Sequence, residues 1–345
     1  MNKPISIAVV GLGRAGWNIH VHQLRERSDF KIVDVADPDA TRREEAAAEL
    51  GCGTFENIDA LLEKTSAEVI VVATPNVLHE TDAVKVMESG RHCVLEKPMA
   101  NDHASALRIA EASKRTGQKC FVHHQRRFLD EFRFLREIID SNILGRIFQI
   151  RLFWGGFARR NDWQTLRKNN GGLLNNHGPH ALDLLLNLAD SPVKTLVADL
   201  QHIKDAGDCE DHFSLFMKTE KGQSIECTCT TACSLPVPRT MLLGANGTLS
   251  ADDDKKAKLR YYDPSAVPEL EVIEGAAKDR KYGTGETLPW QEEEREIKPT
   301  QPGGNFYDNV AAVLTEGAEM GVTPESAAEV IRVIEWAHKT PTVGV

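Results

Sequence analysis

The stretch that decides the fold is Ile5-Ser6-Ile7-Ala8-Val9-Val10-Gly11-Leu12-Gly13-Arg14-Ala15-Gly16. Its first six residues alternate into a buried strand. They run directly into a G-x-G-x-x-G, and a helix pattern follows from Trp17 to about Glu26. A second strand over 31–36 ends at Asp37, 21 residues after Gly16 (37 − 16). The six-residue motif alone is a weak signal. Between a strand and a helix, with an acid at that distance, it reads as a dinucleotide loop. Gly11 permits the tight turn, Gly13 lets backbone approach a pyrophosphate, and Gly16 lets helix pack on strand. The helix N-terminus then offers free N–H groups to the phosphates. Asp37 can accept two hydrogen bonds from a ribose diol and would repel a 2′-phosphate, so NAD is favoured. Arg42 and Arg43 lie close by and leave NADP open.

Working outward, the strand–helix alternation continues. A helix pattern over 41–50, a short extended segment at 53–55 and a helix over 58–64 lead to Val69-Ile70-Val71-Val72-Ala73, an apolar run typical of a strand buried on both faces. It breaks at Thr74-Pro75-Asn76, and His79 opens the next helix. Then come Val94-Leu95-Glu96-Lys97-Pro98, a helix over 102–116 and a strand over 119–123. Short loops between such units predict a doubly wound parallel sheet, with ligands beyond the carboxyl ends of its strands. Residues 11–16, Asp37, 74–76, 96–98 and 124–127 all follow strand ends and fall on that edge. Lys97 has two readings: a solvated strand-end lysine beside a turn proline, or an ammonium presented where the two halves of the chain meet.

After Phe128 the pattern changes. A helix over 131–142 precedes strand-like runs at 146–157, 193–203, 212–219, 223–231, 239–243, 248–251 and 258–262, with a hairpin turn at Asn246-Gly247. This predicts an α+β unit with an open, mostly antiparallel sheet. Residues 264–304, rich in proline, glycine and acid, read as a long surface excursion. Helices over 305–316 and 323–338 close the chain, the last N-capped by Thr323 ahead of Pro324. The expected division is a dinucleotide-binding domain at 1–124 and a substrate and oligomerisation domain at 125–345, with the C-terminal helices able to pack back toward the first.

At 345 residues the chain has room for about two such domains. A net charge of −10 argues against nucleic acid or an anionic membrane surface as partner. No apolar run approaches a membrane span, and residues 1–10 do not read as a secretory signal. The seven cysteines are scattered and odd in number, which fits reduced thiols and a cytoplasmic protein. Cys227, Cys229 and Cys233 fall short of a four-ligand zinc set, so no metal is expected.

The informative part of the second half is Gly171-Gly172-Leu173-Leu174-Asn175-Asn176-His177-Gly178-Pro179-His180-Ala181-Leu182-Asp183. Pro179 fits only a first helical turn, so the helix is expected to start near Asn175 or Asn176. Asn176, His180 and Asp183, spaced four and three apart, would then share one face at its head. Bland readings stand beside this one: Asn176 as an N-cap, His180 as a core histidine, Asp183 as its partner.

On the glycine loop with Asp37, Thr74-Pro75-Asn76 with His79, Glu96-Lys97-Pro98, Gln125-Arg126-Arg127-Phe128 and the 171–183 block, the chain resembles the Gfo/Idh/MocA group of NAD(P)-dependent oxidoreductases over essentially its whole length. The resemblance implies nicotinamide bound between the domains, a sugar or cyclitol substrate, and dimers or tetramers formed through the open sheet. It implies that Lys97, commonly at a cis Lys-Pro bond, contacts both nicotinamide and substrate, and that His180 is the acid/base. Gly11, Gly13, Arg14, Ala15, Gly16, Asp37, Thr74, Pro75, Asn76, His79, Glu96, Lys97 and Gln125 would then hold the cofactor. Lys97, Arg126, Trp163, Asn176 and His180 would face substrate, with Arg159 and Arg160 at the rim. Asn175, Asn176 and His177 could bind hydroxyls. The chain departs from the group at Asn176, where many members carry Asp; asparagine supplies no negative charge to His180 unless Asp183 does.

Three functions compete. One is net oxidation of a sugar or cyclitol secondary alcohol, with the hydroxyl proton passing to His180 and Lys97 supporting the alkoxide. Another is redox-neutral glycosidase or lyase chemistry through transient oxidation. The last is a dinucleotide-binding sensor without catalysis.

Overall fold

The computed structural model describes residues 3–272, 274–275, 286–298 and 305–340. Six strands, β1 (Ile5–Val10), β2 (Phe30–Ala36), β3 (Gly53–Phe55), β4 (Val69–Val72), β5 (His92–Leu95) and β6 (Cys120–Val122), form one sheet in the order β3-β2-β1-β4-β5-β6. Every pair in it is parallel. All four residues of β4 are buried, as a run covered by helices on both faces requires. The strand order reverses between β1 and β4, so the loops after these two strands open the crevice where such sheets bind ligands.

Local sterics explain the glycines there. A Cβ on Gly11 would lie 2.5 Å from the Ala73 oxygen, and one on Gly16 only 1.7 Å from the Gly11 oxygen. Neither position accepts a side chain. The helix behind the loop opens with wide π-type turns over Gly16–Val21 and continues as an α-helix over His22–Arg25, where the sequence suggests a single regular helix.

The second sheet has eight strands: β7 (Ile147–Gly155), β8 (Val193–Gln201), β9 (His212–Thr219), β10 (Ser224–Thr230), β11 (Thr240–Gly244), β12 (Gly247–Ala251), β13 (Lys256–Tyr261) and β14 (Gln291–Glu296). Their order is β14-β13-β12-β11-β7-β10-β9-β8. Only β7 and β10 pair in parallel, so the sheet is mixed but mostly antiparallel. The strand β14 corrects the reading of 264–304 as a pure excursion. Its sequence, Gln-Glu-Glu-Glu-Arg-Glu, lacks the apolar alternation that marks a strand. It pairs along β13 instead, with cross-strand ion pairs Lys256–Glu294 (2.8 Å) and Arg260–Glu292 (3.0 Å). Such charge on an edge strand discourages further pairing. Residues 273, 276–285 and 299–304 of that stretch lie outside the described residues.

Beneath this sheet runs the helix Gly178–Ala189, with Leu182, Leu184, Leu185 and Leu188 almost wholly buried. Each such leucine contributes about 1.5–3 kcal/mol, which anchors the helix and fixes the position of His180 at its head. The last two helices return to the first sheet. Phe306–Glu316, held by a capping box between Asn305 and Asp308, buries Phe306, Tyr307 and Val310 in the same apolar cluster as Ile5, Ile7 and Val9. Pro324–Lys339 packs against both the helix His103–Thr116 and the helix Gly178–Ala189. It thereby ties the two sheets together.

Candidate functional site

At the β1 end, the Leu12 N–H donates to Asp37 Oδ2 (2.7 Å) and the Asp39 N–H to Oδ1 (2.9 Å), while Arg42 lies 3.5 Å from the same carboxylate. Asp37 is therefore held rigid, its two oxygens each with lone pairs to spare for hydroxyl donors. Arg43 turns instead to the Asp37 and Pro38 carbonyls. A Cβ built on Gly13 would meet nothing within 4 Å, so the loop leaves open space at the position expected to approach a pyrophosphate. Arg14, exposed beside it, has no hydrogen bond or ion pair among the described residues. Ala15 precedes the first helical residue, Gly16. This donor set and this gap fit a dinucleotide.

The loop after β4 is tied to the loop after β5 by His79, which is buried. Its Nδ1 lies 2.7 Å from the Pro98 oxygen and its Nε2 3.0 Å from the Thr74 oxygen. Thr74 also donates to Asp82 through Oγ1 (2.8 Å), and Pro75 leads into a short 3-10 turn over Asn76–Leu78. With both ring nitrogens engaged, His79 acts on any ligand through the two loops it joins.

The Lys97–Pro98 peptide is cis. Behind it, Glu96 is buried as a carboxylate with three donors: His20 Nε2 (3.0 Å) and His123 Nδ1 (2.8 Å) on Oε1, and the Lys97 N–H (2.9 Å) on Oε2. Tyr307 lies 2.6 Å from His20 Nδ1 and fits as donor to it, which makes His20 a neutral tautomer donating from Nε2. Burial pushes the Glu96 carboxyl up, but these histidines outweigh it and hold its pKa well below the ordinary range. His20, Glu96 and His123 are the described residues closest to a metal set, their ligand atoms lying within 4.8 Å of one another. The separations are hydrogen-bond lengths, and the contacts of His20 and His123 with Glu96 Oε1 account for them.

Across the crevice the 171–183 block differs from the expected single helix. A short helix, Leu173–Asn176, ends at His177, and the long helix Gly178–Ala189 starts immediately after it. Pro179 has no N–H for the Asn175 carbonyl, and the His180 N–H goes to the His177 oxygen (3.1 Å). The Asn176 carbonyl is left without a helical donor. Lys97 Nζ takes it at 3.3 Å, and lies 3.5 Å from Asn176 Oδ1. The Asn176 amide is oriented in turn by Gln164 Oε1 (3.3 Å), which also accepts from Arg160 (2.6 Å). Gln164 carries no motif signal and was invisible in the sequence. Its neighbour Trp163 sits on the same 3-10 turn with its side chain 55% exposed, so it is a surface or rim residue and not a core anchor.

His180 has no side-chain hydrogen bond among the described residues. Its Nδ1 is buried and unpartnered, which leaves Nε2 as the nitrogen that can meet a substrate. Burial, then the nearby Lys97, His124 and Arg126, hold its pKa well below the usual 6.5. Burial likewise lowers Lys97, with Arg14 and Arg126 adding to the effect and Glu96 opposing it. Asp183 does not supply the anion that His180 lacks: it is fully buried and takes the Arg127 guanidinium at 2.5–3.0 Å. Asn175 is not free for a hydroxyl either, since its amide bonds to Asn170, Gly171 and His338. His177 remains exposed. Gln125 and Arg126 lie on the turn after β6. Gln125 lines a separate cleft of about 400 Å³ with Gln23, Arg27 and Phe306, which contains neither Lys97 nor His180. The site thus brings together Lys97, Asn176, His180 and Arg126 against the glycine loop, and sets Glu96 and His79 behind them.

Residues 5–124 match the oxidoreductase family with an NAD-binding Rossmann fold, and residues 132–250 match the GFO/IDH/MocA C-terminal domain. Among curated proteins, the chain is 26% identical over 261 residues to 2,7-anhydro-N-acetylneuraminate hydratase of Escherichia coli (strain K12), covering 73% of this chain and 69% of that one. It is 23% identical over 352 residues to scyllo-inositol 2-dehydrogenase (NADP(+)) IolW of Bacillus subtilis (strain 168), covering 97% and 93%. Among solved structures, an NAD-binding protein from Listeria innocua superposes with a TM-score of 0.80 at 27% identity, over 97% of this chain and 95% of that chain. No described helix is long and apolar enough to cross a membrane.

Proposed function

The chain belongs to the Gfo/Idh/MocA family of NAD(P)-binding oxidoreductases, and on that premise we propose that it oxidises, or in reverse forms, a secondary alcohol of a sugar or cyclitol, with NAD as cofactor. The observation that carries this reading is the convergence of an ammonium, Lys97, and an unpartnered imidazole, His180, opposite the dinucleotide loop. Bound nicotinamide supplies the hydride acceptor or donor; the chain supplies everything else. His180 is neutral in the free protein because of its burial and its cationic neighbours, so its Nε2 is ready to take the hydroxyl proton. Lys97, fixed by the Asn176 carbonyl, donates toward the oxygen on which negative charge develops. Asp37 favours NAD through its free lone pairs, with Arg42 beside it the feature that works against strict selectivity. Gly13, Arg14 and the loops at 74–76 and 96–98 form the rest of the cradle. Substrate would enter past Trp163, Arg159 and Arg160. We place the domain boundary at 124/125, and assembly as dimer or tetramer on the open face of the second sheet.

The test is absorbance in the reduced-nicotinamide band while sugars and cyclitols are added one by one to protein and NAD. Build-up with at least one of them is expected. NAD binding with no response from any polyol, in either direction, would overturn the reading. The redox-neutral alternative is favoured by one observation, the similarity to a protein named a hydratase; it predicts product without net reduced cofactor.

A further inference from the structure

Resting on the reading above, we propose that the substrate carries an acidic group, a carboxylate or a phosphate, and that Arg126 is the residue that takes it. Of the arginines near the site, Arg14 and Arg159 are exposed to water, and three others are matched to acids. Arg127 holds Asp183, Arg239 holds Glu131 (2.8 Å) and Arg160 holds Asp162 (2.9 Å). Arg126 has neither a hydrogen bond nor an ion pair among the described residues, and its Nε is buried without a partner. Its guanidinium carbon lies over the Trp154 ring, 4.4 Å from the centroid, a cation–π contact that holds it in place. An arginine cannot shed its proton, so this is an unneutralised cation in a partly buried place, and such a group calls for an anion.

The titratable side chains of the site that it acts on are basic. Arg126 is near enough to Lys97, His177 and His180 to disfavour the charged form of each. The one carboxylate that acts on Lys97 is Glu96, and both its oxygens are taken from behind by His20, His123 and the Lys97 N–H. Asn176 contributes an amide and no charge. Of the two acids that act on Arg126, Glu131 is bound to Arg239 and Thr240, and Asp254 lies 3.8 Å from Arg239. A neutral polyol would leave this charge uncompensated. An acidic sugar would offer Arg126 two oxygens in the planar fork geometry that a guanidinium matches. The dinucleotide's own phosphates do not meet this need, because they belong at the glycine loop, and Arg126 stacks on Trp154 of β7 in the other sheet.

The experiment is titration calorimetry on the full chain without cofactor, using D-glucuronate, D-glucose 6-phosphate and D-glucose as probes, on wild type, Arg126→Gln and Arg126→Lys. At least one acid is expected to bind wild type more than about tenfold tighter than D-glucose, the scale of a charge-assisted pair. Arg126→Gln should abolish that preference, and Arg126→Lys, which keeps the charge but not the fork, should retain part of it. Preference for glucuronate assigns a carboxylate; preference for the phosphate assigns a phosphoester. Equal binding of D-glucose, no binding of either acid, or a preference that survives Arg126→Gln would each overturn the proposal. Should Arg126→Gln not fold, an unaltered preference in Arg126→Lys at both low and high salt would count against the fork. Nicotinamide reduction by a neutral polyol, together with no preference for either acid over D-glucose, would remove this proposal and leave hydride transfer standing. An acid bound through Arg126 with no nicotinamide reduction would do the reverse.

Discussion

Lys97 Nζ lies 3.3 Å from the backbone oxygen of Asn176 and 3.5 Å from its Oδ1. The contact spans the two halves of the chain, from the end of β5 to the break between two helices. It exists because the helix is interrupted at His177–Pro179, which leaves that carbonyl without a donor. Lys97 therefore has a fixed position before any ligand arrives. Replacing it with a side chain of similar length and no charge, Lys97→Met, should lower kcat by roughly 10²–10³-fold, the loss typical of removing one preorganised donor. Dinucleotide affinity, measured by titration of protein fluorescence, should change little. Intact turnover would show that the site is misplaced.

The pH dependence follows from His180. Burial and the neighbouring Lys97, His124 and Arg126 lower its pKa well below 6.5. For alcohol oxidation the neutral ring is the active form, so kcat/KM should hold steady as pH falls through 6.5 and decline only further into acid. Asn176→Asp places a carboxylate beside Lys97 and one helical turn before His180. It should raise the pKa of both, moving the acid limb to higher pH. A limb that does not move, or a wild-type limb at or above 6.5, would contradict the assignment of His180.

His124 makes a separate prediction about stability. It is fully buried, neither ring nitrogen has a hydrogen bond, and burial lowers its pKa to about 4 despite Asp183 at 3.8 Å. In the unfolded chain it takes up its proton near 6.5, so the unfolded state binds more protons between those values. Stability from this group is complete above pH 6.5 and is lost as pH falls toward 4, by about 3 kcal/mol in all. His124→Leu should be within about 1 kcal/mol of wild type at pH 7, since it breaks no hydrogen bond, yet lose much of the acid sensitivity in urea denaturation. Parallel pH profiles for the two proteins would refute this.

Cofactor choice turns on Asp37. In Asp37→Ser the 2′-phosphate of NADP no longer meets a carboxylate, and Arg42 is released from its 3.5 Å ion pair. The ratio of NADP to NAD affinity should rise by about tenfold or more, near 1.4 kcal/mol. An unchanged ratio in calorimetric titrations would mean that selectivity lies elsewhere on the loop.

The first sheet was legible because two independent signals agreed at its central strands, while β3 (Gly53–Phe55), exposed at the edge, offered only a short extended segment. Apolar runs such as Val69–Val72 marked the burial, and chemically distinctive loops marked the strand ends. The second sheet was legible from alternation until β14, where six polar and charged residues pair as a strand by charge complementarity with Lys256 and Arg260. Periodicity cannot detect such a strand. Within the candidate site, Lys97 and His180 stood out by spacing. Gln164 did not, because its place beside Asn176 depends on how the 156–172 connection folds over the crevice. Asp183 shared a helical face with His180 on paper, but Arg127, 56 residues earlier, claims it in space. The unpaired state of Arg126 is of the same kind: only the tertiary fold reveals which arginines have found an acid.

The central claim is net hydride transfer from a carbinol carbon, and its most direct test is isotopic. The polyol identified by the absorbance panel would be supplied deuterated at the carbon that is oxidised, with protein and excess NAD, and both pools analysed by mass spectrometry. Deuterium should leave the sugar and accumulate in the nicotinamide, one atom per product formed. Deuterium retained in or returned to the sugar product, with the nicotinamide pool unlabelled, would contradict it and establish redox-neutral chemistry instead.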